Sequence, residues 1–234
     1  MKLVLFDIDG TLIDSGGAGV TALNRAFEDL FGISDAFRSV AMAGKTDLQI
    51  VQEGIRIHRL KTGNGVPGGF FGRYLHHLRE GIGKTSGHVK PGVREALDAL
   101  GKEEGVTLGL LTGNIEEGAR MKLTHFGLDA YFPIGAYGNE HQDRNRLLPI
   151  AVRKYVNGGP ETIAYQDCVV IGDTPLDVDC ARSYGALAIA VATGPYSLEQ
   201  LAATGPDALF QNLSDTRRLV DLVTGRGTEP SRCL

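Results

Sequence analysis

Three short apolar runs in this chain stop abruptly at residues that carry chemistry. Lys2–Phe6 gives way to Asp7-Ile8-Asp9-Gly10-Thr11, Val106–Leu111 to Thr112-Gly113-Asn114, and Cys168–Ile171 to Gly172-Asp173-Thr174-Pro175-Leu176-Asp177. An apolar run this short, bounded by a polar turn, reads as a strand buried on both faces. Helical spacing separates the runs: Val93, Ala96, Leu97 and Leu100 share one face, and helices are expected over about 93–104, 116–125, 146–157 and 176–184. Further short strands are expected near 131–136, 187–192 and 208–210. Strands alternating with helices predict an α/β fold, a Rossmann-like parallel sheet covered on both sides. Ligands of such sheets bind beyond the carboxyl ends of the strands. If the three strands are neighbours, their polar ends meet in one crevice.

The alternation is interrupted just after the first strand. Val20, Leu23, Phe27, Leu30 and Phe31 fall at helical spacing and Gly32 stops that helix. Residues 45–59 and 70–82 also read as helices, joined by the loop Thr62-Gly63-Asn64-Gly65-Val66-Pro67-Gly68-Gly69. The expected organisation is a core of residues 1–15 and 86–223, an all-helical insertion at 16–85, and a loose tail at 224–234. The length of 234 residues suits a core with an insertion. Glycine, at 32 residues, is about twice its average usage, which points to many tight turns.

Several function classes are excluded on composition. Lys plus Arg number 24 against 28 acidic residues, a net charge of −4, so the basic excess of a nucleic-acid binder is missing. No apolar stretch approaches the length that spans a bilayer and no signal peptide is seen, so a cytoplasmic protein with no membrane partner is expected. Cys168, Cys180 and Cys233 are few and unpatterned, which suits neither a disulfide framework nor a zinc site. His58, His76 and His77 fall on the inserted helices without a partnering pattern and are expected to be surface or packing residues.

Carboxylates crowded at strand ends raise one another's pKa unless a cation lies between them. An all-oxygen ligand set suits magnesium. Any one such Asp could simply serve a turn or a helix cap; three strand ends together point to a site.

Asp7-Ile8-Asp9-Gly10-Thr11-Leu12 after an apolar strand resembles the first motif of the haloacid dehalogenase-like hydrolases. Thr112-Gly113-Asn114 is similar to their second motif and Gly172-Asp173-Thr174-Pro175-Leu176-Asp177 to their fourth. The resemblance spans about residues 5–212, and an all-helical cap between the first and second motifs is similar to the phosphoglycolate phosphatase and β-phosphoglucomutase branch. It implies an aspartyl-phosphate mechanism. Asp7 would be the nucleophile and Asp9 the acid and base. Thr112, Gly113 and Asn114 would hold the phosphoryl group. Magnesium would be bound by Asp7, the Asp9 carbonyl and Asp173, with Asp177 orienting the metal's surroundings. The third motif departs from the usual Lys-Pro; Arg144 is the expected replacement and Arg146 the alternative. Gly44-Lys45-Thr46-Asp47 resembles the substrate-facing cap loop, with Lys45 reaching an anionic leaving group.

Asp9 favours a phosphate ester over a carbon–halogen bond, because halide leaves without a proton. The expected activity is magnesium-dependent hydrolysis of a small phosphorylated metabolite, phosphoglycolate phosphatase-like. Two alternatives stand beside it: a phosphosugar mutase using the same motifs, and a phospho-acceptor regulatory domain. The sequence leaves the oligomeric state open.

Overall fold

The computed structural model describes residues 1–63, 65–158 and 162–226. Asn64, Cys233 and residues 227–234 of the expected tail lie outside the described residues.

The first strand, β1 (Lys2–Phe6), is followed by the two-residue β2 (Ile13–Asp14). Three helices come next, α1 (Ala18–Phe31), α2 (Asp47–Ile57) and α3 (Phe70–Gly81), before the chain returns through β3 (His88–Val89). From there α4 (Val93–Leu100), β4 (Val106–Leu111), α5 (Glu116–His125), β5 (Ile134–Ala136) and α6 (Leu147–Asn157) alternate. The chain then runs through β6 (Cys168–Gly172), α7 (Pro175–Arg182), β7 (Leu187–Val191), α8 (Leu198–Ala202), β8 (Ala208–Phe210) and α9 (Thr216–Thr224). Six strands form one parallel sheet in the order β5-β4-β1-β6-β7-β8. β1 pairs with both β4 and β6, so the three strands that carry the polar ends are adjacent.

Side chains alternate across a strand, and β1 uses both faces. Val4 and Phe6 pack with residues of α4, α5 and α9; Leu3 and Leu5 pack with residues of α6 and α7. All four are fully buried, which is why this run carries no polar alternation.

The inserted helices have a core of their own. Phe27 is its centre, with the Phe37 ring at 5.1 Å and the Phe70 ring at 6.3 Å, both edge-on, and His58 beside them. Gly54 of α2 lies where a Cβ would press on the Phe37 ring. Ile115, from the core side, joins this cluster. The outgoing and returning connectors are tied by antiparallel pairing of Ile13 with Val89 and Asp14 with His88.

Some elements differ from their sequence expectation. α4 ends at Leu100 because the chain turns there, Lys102 N–H donating to Ala99 O and Glu103 N–H to Leu100 O. The strand expected at 131–136 is a 3₁₀ turn over Asp129–Tyr131 and then β5. β2, β3, α8 and α9 were not expected; two strands are only two residues long and α8 spans five. Residues 224–226, counted with the tail on sequence grounds, close α9: Gly225 is left-handed at φ 73°, and Arg226 pairs with Glu103 at 2.5 Å.

Truncating Phe27 to Ala removes the centre of the cap core and should cost about 3–5 kcal/mol. Denaturant unfolding measures the loss; hydrogen exchange should quicken across α1–α3 while amides of β1, β4 and β6 stay protected.

Candidate active site

The carboxyl ends of β1, β4 and β6 open into a cavity of about 430 Å³, roofed by the cap helices. Asp7 is the first residue past β1 and its N–H still donates to Ile171 O at 3.0 Å, so the strand ladder fixes its place. Its carboxylate is buried against Arg144, with Nη2 to Oδ1 at 3.3 Å. Arg144 lies in the 3₁₀ turn Arg144–Arg146 ahead of α6, where the Asp143 side chain accepts from Asn145 N–H at 3.0 Å. The same guanidinium also pairs with Asp177 and donates to Leu111 O and Gly44 O, each at 3.2 Å. Arg146 is exposed.

Asp173 and Asp177 stand on either side of the β6-to-α7 turn. Asp177 closes a capping box with Thr174, accepting from its N–H at 3.1 Å and its hydroxyl at 2.7 Å. Asp173 accepts from the Thr11 hydroxyl at 2.8 Å. Gly10, at φ 87°, and Gly194, just beyond β7, leave room for the Asp173 carboxylate that any Cβ would occupy. The Thr193 hydroxyl holds this loop to β1's end by donating to Gly10 O at 2.6 Å.

Oxygens of Asp7, Asp173 and Asp177 lie within 4.8 Å of one another. Burial pushes Asp7 up to about 6, opposed by Arg144 and reinforced by Asp177. Burial and then the charges of Asp7 and Asp177 hold Asp173 well above the usual carboxylate range. The Arg144 pKa is also raised: burial disfavours its charge, but Asp177 and Asp7 outweigh that and keep it protonated. One guanidinium for three carboxylates leaves a negative surplus. An all-oxygen donor set with that surplus fits a hard divalent cation.

Asp9 faces the cavity with its side chain 39% exposed. It accepts from Lys122 Nζ at 2.6 Å, Asn114 Nδ2 at 2.8 Å and the Ser15 hydroxyl at 3.3 Å. Burial alone would raise its pKa, but the Lys122 ammonium and these bonds bring it below the ordinary value. Thr112 is buried at the end of β4, and its hydroxyl accepts from Asn114 N–H at 3.3 Å and Nδ2 at 2.9 Å. The capping position of α5 belongs to Ile115, not to Thr112.

Cap and core meet along residues 44–47. Asp47 N–H donates to Gly113 O at 2.7 Å, the Thr46 hydroxyl to Gln142 O at 2.8 Å, and Ile115 N–H to Asp47 Oδ2 at 2.9 Å. Gly113 has no room for a Cβ because the Lys45 carbonyl lies against it, and Gly138 is likewise pressed on Gly113. Lys45 lines the cavity, but its ammonium lies on Glu53 at 2.5 Å.

The site thus gathers Asp7, Asp9, Thr112, Gly113, Asn114, Arg144, Asp173 and Asp177, with Lys45 at its rim. Lys122 and Asp47 were missed on sequence grounds. Lys122 follows Ala119 by three residues on the inward face of α5, and a lysine at a core-facing position is a readable signal. His77 pairs with Asp29 of α1 at 2.7 Å, pinning α3 to α1, and exposed His76 lies 3.6 Å from Glu80. His76, His77 and Glu80 also group as possible metal ligands on the cap.

Residues 4–191 match the haloacid dehalogenase-like hydrolase family. The phosphoglycolate phosphatase of Synechococcus elongatus is 27% identical over 94% of this chain and 97% of its own. A Dickeya dadantii protein assigned as phosphatase IndB is 29% identical over 91% of this chain and 90% of its own. A solved Bacteroides vulgatus structure, assigned as a β-phosphoglucomutase, superposes with a TM-score of 0.69 at 22% identity, covering 98% of this chain and 91% of that one. No helix among the described residues is long and apolar enough to cross a membrane.

Removing Arg144 leaves two buried carboxylates without their cation. Arg144→Ala should cost about 3–5 kcal/mol in chemical unfolding.

Asp47 gives a pH signature. Burial raises it to about 6, opposed by Lys122, from an ordinary value of 3.8. The folded chain therefore binds this proton more tightly than the unfolded chain, and stability falls as pH rises between those values. Over that interval the loss is roughly 3 kcal/mol at about 1.4 kcal/mol per pKa unit. Asp47→Asn should be more stable than the parent at pH values above about 6 and no more stable below about 4, as read by urea midpoints.

Proposed function

The chain belongs to the haloacid dehalogenase-like hydrolases, and we propose that this phosphatase hydrolyses a small phosphorylated metabolite through an aspartyl phosphate on Asp7, with magnesium bound. One observation carries the reading: Asp7 lines a cavity of about 430 Å³ beneath the cap helices, with Arg144 at 3.3 Å and the oxygens of Asp173 and Asp177 within 4.8 Å. A carboxylate is a weak nucleophile, and phosphoryl transfer depends chiefly on positioning and charge neutralisation.

Asp7 attacks phosphorus in line with the departing alkoxide, which takes a proton from Asp9. A phosphate dianion brought beside Asp9 raises that carboxyl's proton affinity, offsetting the Lys122 ammonium that keeps it ionised beforehand. In the second half Asp9, now a carboxylate, takes a proton from the water that attacks the phosphoryl group on Asp7. Phosphate leaves and Asp7 is restored. Thr112 and the Gly113 and Asn114 amides hold the phosphoryl oxygens, and Arg144 keeps Asp7 aimed and anionic. The Asp7 carboxylate, the Asp9 backbone carbonyl and Asp173 would hold magnesium, with Asp177 behind them. Bound there, the ion supplies the positive charge that offsets repulsion between Asp7 and the phosphate. The cap excludes water while the reaction runs.

The relatives named phosphoglycolate phosphatase and the absence of a basic stripe support a small-molecule substrate. A cytoplasmic location agrees with Cys168 and Cys180, both buried and unpaired among the described residues.

A panel of phosphorylated metabolites assayed with and without magnesium tests the reading. Turnover should require magnesium, and Asp7→Asn should lower it by about 10³-fold or more. Mass spectrometry after acid quench should find one phosphoryl group on Asp7 that turns over within the catalytic cycle. A phosphate that persists for minutes would indicate a regulatory switch, and full activity in Asp7→Asn would remove the assignment.

A further inference from the structure

Beyond the phosphoryl centre, the cavity wall is made of charges that already have partners. Among the described residues, four cations line it. Lys45 lies on Glu53 at 2.5 Å, Lys90 on Asp14 at 3.5 Å, Lys122 on Asp9 at 2.6 Å and Arg144 on Asp7 at 3.3 Å. Asp47 lines the same wall and forms no ion pair among the described residues; it accepts a bond from Ile115 N–H at 2.9 Å. Its carboxylate keeps further acceptor capacity. The same cavity is lined by the apolar side chains of Val20, Leu23 and Met42, and of Ile50 one turn along α2 from Asp47.

We propose that this wall selects phosphate esters whose leaving group is an uncharged, hydroxylated carbon chain, with Asp47 as the specificity-determining residue that accepts a hydroxyl from it. The carbon skeleton packs on the apolar side and the hydroxyl meets the carboxylate. A leaving group that ends in a carboxylate finds Asp47 repelling it and no unengaged ammonium or guanidinium to receive it. Admitting it would strip a carboxylate such as Glu53 or Asp9 of its partner. Of the three lysines on the wall, Lys45 and Lys122 hold the two shortest of these pairs, and Lys90 is held by Asp14 at the longer 3.5 Å. Substrate preference thus departs from that of relatives whose names specify phosphoglycolate. The inference rests on the phosphatase reading above and narrows it to one class of alcohol.

Two matched pairs of substrates test it on the full chain with magnesium: hydroxyethyl phosphate against phosphoglycolate, and glycerol phosphate against phosphoglycerate esterified at its terminal hydroxyl. Each pair differs only in a hydroxymethyl group set against a carboxylate. The neutral member should show a kcat/KM higher by about tenfold or more. Asp47→Asn, which keeps an acceptor for Ile115 N–H, should narrow that ratio to within about threefold by raising turnover of the carboxylate ester. A wild-type protein that hydrolyses phosphoglycolate as fast as hydroxyethyl phosphate, or faster, overturns the proposal. So does an Asp47→Asn variant with an unchanged ratio; if that variant does not fold, the wild-type ratios decide alone. The generic ester p-nitrophenyl phosphate separates the two levels. Its turnover alongside a carboxylate preference overturns only the leaving-group inference, whereas no turnover of it or of any ester removes the phosphatase reading itself.

Discussion

Asp7 and Asp173 are buried at adjoining strand ends with Asp177 of α7 beside them, and like charges that close cannot all remain ionised without a cation among them. Arg144 supplies one such charge from the chain itself, bonded to Asp7 and Asp177 and to the carbonyls of Leu111 and Gly44. Much else follows from that need. The parallel register brings β1 between β4 and β6, the α7 capping box fixes Asp177, and the turn before α6 delivers Arg144 from an element outside the central strands. A planar guanidinium can serve several acceptors at once in a way an ammonium cannot. That is a physical reason for an arginine at this position, where the sequence resemblance leads one to expect a Lys-Pro pair.

Backbone proximity is the second constraint. Gly113, Gly138 and Gly44 all lie where a Cβ would strike a neighbouring segment: Gly113 and Gly138 let the cap loop rest on the end of β4, and Gly44 lets it approach Thr174 and Leu176 at the start of α7. Glycine's excess in the composition is in part a record of these approaches. Gly10 and Gly194 do the same around the Asp173 carboxylate.

The sheet was legible because its central strands are buried on both faces and therefore read as unbroken apolar runs. The acids at their ends were legible because polar chemistry follows three such runs at once, where a single Asp could have served a turn or a cap. Arg144 could be reached only through the resemblance and a helix start, since a lone arginine in a polar stretch has no periodic mark. Asp47 and Lys122 were hidden for a different reason. Their roles come from long-range pairing, Lys122 with Asp9 across 113 positions and Asp47 with Ile115 across 68, and no local pattern encodes such partners. In the motif around Asp47 it is Lys45 whose charge looks available from the sequence, because its partner Glu53 lies about two turns further on, along α2. β2 and β3 are too short to show alternation, and α8 is too short to show a helical stripe.

The latch between cap and core is concentrated in four consecutive residues. Arg144 to Gly44, Thr46 to Gln142, and Asp47 through both its N–H and its carboxylate make four hydrogen bonds across the seam. Ile115 adds an apolar contact beside them. Gly44, Lys45 and Asp47 line the cavity as well, so the residues that dock the cap are also its wall, and a change in how the cap sits is a change in the shape of the space that receives the leaving group.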